Sequence, residues 1–174
     1  MKIFFLSAFV CCNLASHLVH AAEPAPVQSV AKVDLTRYLG TWHEIARYPM
    51  YFQKQCVGDV TANYSLMENG KLKVLNRCRT KSGEFDEAEG RASVVENSNN
   101  ARLKVSFFWP FKADYWVIGL DPEYRWAVVG NPNRKYLWLL SRNKNISSED
   151  LAAAKASAVA QGYDLQQLIM SEAN

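Results

Sequence analysis

The chain has 174 residues, 49% of them hydrophobic, 12% aromatic and 21% charged, a composition that fits one packed domain and excludes a disordered tail or a collagen-like fibre. Its formal charge of +3 comes from 20 Lys and Arg scattered among 17 acids, so the clustered cationic footprint of a nucleic-acid binder is missing and no such partner is expected.

In chain order, residues 1–21 carry Lys2, an apolar run from Ile3 to Leu14, and small residues at −3 and −1 in Val19-His20-Ala21. This is the pattern of a secretory signal peptide; the run is too short and too interrupted (Asn13, Ser16, His17) for a transmembrane span. Cys11 and Cys12 raise lipoprotein processing, but Phe9 and Val10 do not supply the small residue such processing needs before the cysteine. The chain is therefore expected to be exported, periplasmic or secreted, with outer-membrane association left open. After the signal only Cys56, Cys78 and His43 remain of their kinds. A Ser/His/Asp triad would have to rest on His43, and a Cys/His zinc site lacks ligands, so no metal and no cofactor are expected. Two cysteines in an oxidising compartment, without C-x-x-C spacing, are read as a structural disulfide, Cys56–Cys78.

Residues 22–33, with Pro24 and Pro26, read as a flexible, exposed leader before a single domain over 34–172. Asp34 caps a short helical turn over Leu35–Leu39. Eight runs rich in Val, Leu, Tyr, Phe and Trp follow: Thr41–Tyr48, Val57–Leu66, Lys71–Arg79, Phe85–Val95, Arg102–Phe108, Tyr115–Leu120, Arg125–Gly130 and Tyr136–Arg142. Turn residues divide them, among them Asn69-Gly70, Ser82-Gly83, Asp121-Pro122 and Asn131-Pro132. Short links predict an up-and-down antiparallel meander, which either stacks as a sandwich or closes as a barrel. One helix follows, capped by Ser147, with Leu151, Ala154, Ala158 and Val159 near one face and Gly162 as its stop. A short ninth strand is expected within Tyr163–Ile169.

Gly40-Thr41-Trp42 opens the first strand, Asp121 precedes a turn at the end of the sixth, and Arg142 ends the eighth. With Tyr64 in TANYS, the stretch YWVIGLDPEY and the run LWLLSR, this ordered set resembles the lipocalins, nearest the branch of bacterial outer-membrane lipocalins and apolipoprotein D. The resemblance implies an all-β fold: an eight-stranded up-and-down antiparallel barrel, closed at one end, with one C-terminal α-helix. It further implies that Gly40, Trp42 and Arg142 form the closed base, the guanidinium lying over the indole. The implied role is binding, transport or storage of a small hydrophobic ligand such as a fatty acid or lysophospholipid.

If Ala62 and Tyr64 face inward as the resemblance implies, period-two alternation adds Val60 and Leu66, Leu72, Val74 and Asn76, Ala92 and Val94, Leu103, Val105 and Phe107, and Trp138 and Leu140. Parity on the sixth and seventh strands stays open. So does the state of the lumen, which is either ligand-sized or filled by Tyr64, Phe107 and Trp138. At the mouth, Tyr51, Phe52, Trp109, Phe111 and Lys112, with Met50, Phe108, Arg47 and Lys54 nearby, are expected either to meet a lipid or a membrane surface or to fold inward and seal the cavity. The protein is expected to be a monomer or a homodimer. A disulfide at this end needs a bulge or a returning loop, because counting back from Asn69-Gly70 sets Cys78 opposite about position 61. The alternative, an enzyme or stress-response factor on the same barrel, would rest on Glu44; His43 and Glu44 are neighbours on a strand and should face opposite sides. No catalytic residue is expected.

Overall fold

In the computed structural model, residues 24–172 are described. The expected signal peptide, with Cys11 and Cys12, lies outside them. Asp34 caps α1 (Leu35–Tyr38), its carboxylate accepting from the backbone N–H groups of Thr36 and Arg37. The strands are β1 (Gly40–Arg47), β2 (Cys56–Leu66), β3 (Leu72–Thr80), β4 (Phe85–Val94), β5 (Arg102–Ser106), β6 (Ala113–Leu120), β7 (Trp126–Gly130) and β8 (Leu137–Ser141), followed by α2 (Ser148–Ala160) and the two-residue β9 (Ile169–Met170). All eight expected strands are present, with ends moved by a residue or two. Each of β2 to β7 pairs with its successor, β8 pairs with β1, and β1 pairs with β2, so the sheet closes into an antiparallel barrel.

Register fixes the lumen. Trp42 stands opposite Ala62, Ala62 opposite Asn76, and Asn76 opposite Ala88; one row away Tyr64, Val74 and Gly90 align. Parity left open by the sequence is settled on β6 and β7: Tyr115, Val117, Ala127 and Val129 belong to the interior cluster, whereas Ile118, Trp126 and Val128 pack outward under α2. On α2 itself Ala154 and Ala158 are buried, but Val159 is 54% exposed, because it lies five residues from Ala154 and has rotated off the packed face.

Two expectations change. The leader is docked rather than free: Val27 and Val33 are buried, while residues such as Pro26, Gln28 and Lys32 stay exposed, and residues 24–33 run along the barrel wall as a strap. Val30 N–H donates to Val117 O at 2.8 Å, Val33 N–H to Asn99 O at 2.9 Å, and Asn99 Nδ2 to Ala31 O at 3.1 Å. Prolines that exclude helix are compatible with this extended path, which the valine spacing at positions 27, 30 and 33 marks. The ninth strand also shrinks, since Leu165–Gln167 forms a 3-10 turn and only Ile169–Met170 pairs with Ala46 and Arg47 of β1.

The base is tied from several sides. Arg142 lies 3.9 Å from the Trp42 ring centroid and donates to Thr41 O (2.8 Å), Arg37 O (2.6 Å) and Leu39 O (2.9 Å). Trp42, fully buried, donates through Nε1 to Tyr38 O at 2.9 Å. Gly40 takes φ +88°, a conformation that side chains resist, directly beside the Arg142 guanidinium. Arg142→Ala removes three charge-assisted bonds and the ring contact, and a loss of about 3 kcal/mol in urea unfolding is expected, with Arg142→Lys recovering only part of it.

Cys56 and Cys78 are bonded, with Cα atoms 5.4 Å apart. The obstacle of register is removed by two irregularities on β2, between Cys56 and Gly58 and between Gly58 and Thr61, where Asp59 takes φ 51°. They move Cys56 opposite Thr80, next to Cys78 on the same wall. The closed loop spans 22 residues, so the double variant C56S/C78S should lose about 3 kcal/mol, read as a lowered urea midpoint, and the unfolded wild type should yield no free thiol from this pair.

Candidate functional site: the open end of the barrel

Antiparallel order sets the loops after β1, β3, β5 and β7 at one end and those after β2, β4 and β6, with α1, at the other. The closed half is filled. Tyr64, Leu72, Val74, Ala92, Leu103, Val105 and Leu140 are buried in one cluster with Tyr38, Trp42 and Val117. Within it the Tyr115 hydroxyl is 2.8 Å from those of both Tyr38 and Tyr64, so two of three hydroxyl hydrogens are used inside the trio. Burial pushes the Tyr64 phenol up to about 12 and those of Tyr38 and Tyr115 well above the ordinary range, so all three stay neutral donors.

Above this plug the wall residues become small and accessible. Ala62 and Asn76 are half-buried and Ala88 is exposed although it shares their inward row. Phe107 and Trp138 pack against the upper edge of the cluster. The Phe107 ring lies over Gly90, where a Cβ would come within 2.8 Å of it, so the ring rests in space a side chain would otherwise take. Two expected lining positions fall elsewhere: Leu66 (60% exposed) and Val94 (37%) end their strands at the closed end and emerge from the barrel. Val60 sits in the β2 irregularity, where alternation breaks, and lines a cleft beside the barrel wall.

The mouth aromatics point outward rather than sealing the lumen. Tyr51 is 75% exposed, Phe52 42%, Phe108 78%, Trp109 89% and Phe111 76%, and Lys54 and Lys112 are exposed beside them. Tyr51 and Phe52 stack edge to face at 5.3 Å, and Phe52 continues to Tyr136 at 5.6 Å and Tyr136 to Trp138 at 5.9 Å, an aromatic path from rim to lumen. Met50, by contrast, is buried in the cluster under α2.

Glu44 is the buried acid near this end. It stands opposite Leu140 of β8, just before a register shift between Glu44 and Ala46, and its carboxylate meets the mouth segment at Gln53. It accepts from Ser171 Oγ at 2.5 Å and from Gln53 Nε2 at 3.0 Å, and Arg47 Nε stands 3.2 Å away. Gln53 in turn accepts from Trp138 Nε1 at 3.1 Å, so one carboxylate joins the C-terminal segment, the rim and the lumen wall. Arg47 is thus committed to Glu44 and to Tyr48 O, and is not a free cation at the rim. Sequence reasoning missed Gln53 and Ser171, since neither carries a local signal; the buried Glu on a strand was the clue that partners must exist. His43 and Glu44 both border a cleft of about 270 Å3 along with Asp59, Lys144 and Glu172, because the β1 and β2 irregularities open the wall there. His43 is held below the ordinary range by burial and by Lys144, while Asp59 is held low by hydrogen bonds from Lys144 and Arg79. Among the described residues no group of three or more His, Cys, Asp or Glu is arranged to hold a metal ion.

Burial raises the Glu44 carboxyl against the opposing pull of Ser171, Gln53 and Arg47. A raised acid stabilises the fold below its ordinary pKa and loses that contribution as pH rises through the folded value. The melting temperature of wild type minus that of Glu44→Gln should therefore fall from about pH 4.5 to about pH 7.5; a difference that is flat or rising would contradict the assignment.

The profile of the lipocalin-like domain family matches residues 33–173. The chain is 42% identical over 156 residues to the outer membrane lipoprotein Blc of Escherichia coli K12, covering 87% of this chain and 88% of that protein. It is 36% identical to temperature-induced lipocalin-1 of Arabidopsis thaliana over 154 residues (84% and 82% covered) and 36% identical to apolipoprotein D of Macaca fascicularis over 155 residues (84% and 79%). Among solved structures, insecticyanin from the tobacco hornworm Manduca sexta superposes with a TM-score of 0.71 at 19% identity, covering 87% of this chain and 86% of that one. The ordered G-x-W, Asp and Arg positions, the closed base and these matches agree: the chain belongs to the lipocalin family.

Proposed function

We propose that the protein binds a small hydrophobic ligand with an acyl chain, a fatty acid or lysophospholipid, in the upper half of the barrel and carries or stores it outside the cytoplasm. The observation that supports this most directly is the contrast between a filled base and a wall of Ala62, Asn76 and Ala88 that stays accessible above it. An apolar chain of ~16 carbons gains roughly 0.8 kcal/mol per buried methylene, about 12 kcal/mol gross before the costs of association. Lys54 and Lys112 suit a carboxylate or phosphate head at the rim. A binding role rather than an enzymatic one fits the site, since the Glu44 carboxylate is taken up by Ser171, Gln53 and Arg47 in a contact that ties the C-terminal segment to the rim. Export agrees with the disulfide and with the similarity to an outer membrane lipoprotein.

Delipidated protein titrated with palmitate and, separately, with a lysophospholipid should show saturable tryptophan quenching at micromolar ligand or below. Ala88→Trp fills the accessible wall without touching the packed base, and should weaken binding by about tenfold or more while leaving the melting temperature near that of wild type. Quenching that is absent in wild type, or unchanged in Ala88→Trp, would remove the upper lumen as the site.

A further inference from the structure

We infer that the mouth is a docking surface for an anionic phospholipid bilayer, and that the N-terminal strap fixes the barrel mouth-down upon it. Three observations converge. First, Phe108, Trp109 and Phe111, with Tyr51, form an apolar rim in water on a protein whose other large side chains are mostly packed. Aromatic groups of this kind are stable at the boundary between lipid headgroups and acyl chains.

Second, charge is divided between the two ends. The mouth loops (48–55, 81–84, 107–112 and 131–136) carry Lys54, Lys81, Lys112, Arg134 and Lys135 against the single acid Glu84. The closed-end segments (34–39, 67–71, 95–101 and 121–125, with Arg142) carry Asp34, Glu68, Glu96, Asp121 and Glu123 against Arg37, Lys71, Arg125 and Arg142. An anionic surface therefore attracts the mouth more strongly than the nearly neutral base. The same positive rim disfavours a second copy placed mouth to mouth.

Third, the strap determines where the chain joins the fold. Arg134, in the β7–β8 loop at the mouth, donates to Ala25 O and, at 2.7 Å, to Gln161 O at the end of α2. Gln28 N–H donates to Gln161 Oε1 at 2.7 Å. From there the strap descends to the closed end, where Asp34 N–H donates to the Tyr124 hydroxyl at 2.8 Å. The described chain therefore enters the fold at the mouth end, which sets Pro24 on the side that meets the lipid.

The test uses the chain from Ala22 onward, so that neither the apolar signal segment nor acylation at Cys11 or Cys12 contributes. Vesicles of phosphatidylethanolamine with about 30% phosphatidylglycerol should sediment the protein; pure phosphatidylcholine, or high salt, should weaken this by about tenfold. The variant W109S/F111S should lose about tenfold in vesicle affinity. Fluorophores placed at P24C or K81C should transfer energy to labelled lipid more efficiently than one at N69C on the closed end. Ala88→Trp, which blocks the lumen, should still dock, so failure to bind ligand and failure to dock are separable. Equal binding by W109S/F111S, equal transfer from both ends, or an oligomer that dissociates in W109S/F111S without any vesicle binding would each overturn the proposal; the last outcome would assign the rim to a second copy.

Discussion

The structure depends on how β1 divides its hydrogen bonds. One edge pairs with β8 from His43 to Arg47, while the other pairs with β2 only from Gly40 to His43. Beyond that point β2 breaks register twice and β9 takes its place beside Ala46 and Arg47. The barrel is thereby tight at its base, where Trp42, Tyr64 and Val74 are buried, and looser above. The disulfide holds the departing end of β2 to β3, and Glu44 gathers the rim and the C-terminal segment at the same break. A chain with perfect β1–β2 pairing to the top would have neither the cleft nor the register that brings Cys56 to Cys78.

Gradation along the barrel axis follows from side-chain size. Aromatic and branched residues fill the lower lumen, and the phenol trio pairs its hydroxyls through Tyr115. Alanines on β2 and β4 then leave the upper wall thin, with Phe107 resting on Gly90 between the two regions. The depth of the accessible lumen is set by this transition rather than by the length of the strands.

The strands and caps were legible because their signals are local, whereas closure into a barrel rested on the family resemblance. Period-two alternation, the Asn69-Gly70 turn and the caps at Asp34 and Ser147 lie within a few residues of the elements they form. What escaped was non-local. Val27, Val30 and Val33 look like scattered apolar residues in a proline-rich leader until β6, the β4–β5 loop and α2 are there to receive them. Asp59 at positive φ gives no cue to the bulge that seats the disulfide, since a non-glycine residue in that conformation is held there by its surroundings. Alternation also named Leu66 and Val94 correctly as to side but not as to height, because period carries no information on where a barrel ends.

Closure by first and last segments has a kinetic side. The strap is made before every strand, yet Val27 packs with Ala154 and Ala158 of a helix made near the end, and β1 waits for β8 and β9. The β2–β3–β4 meander can form early from neighbours, whereas closure must bring together segments about a hundred residues apart and is the slow, entropically costly event. A partly made chain therefore has no finished barrel to hold it, and the barrel wall is completed only once Ile169–Met170 has joined β1.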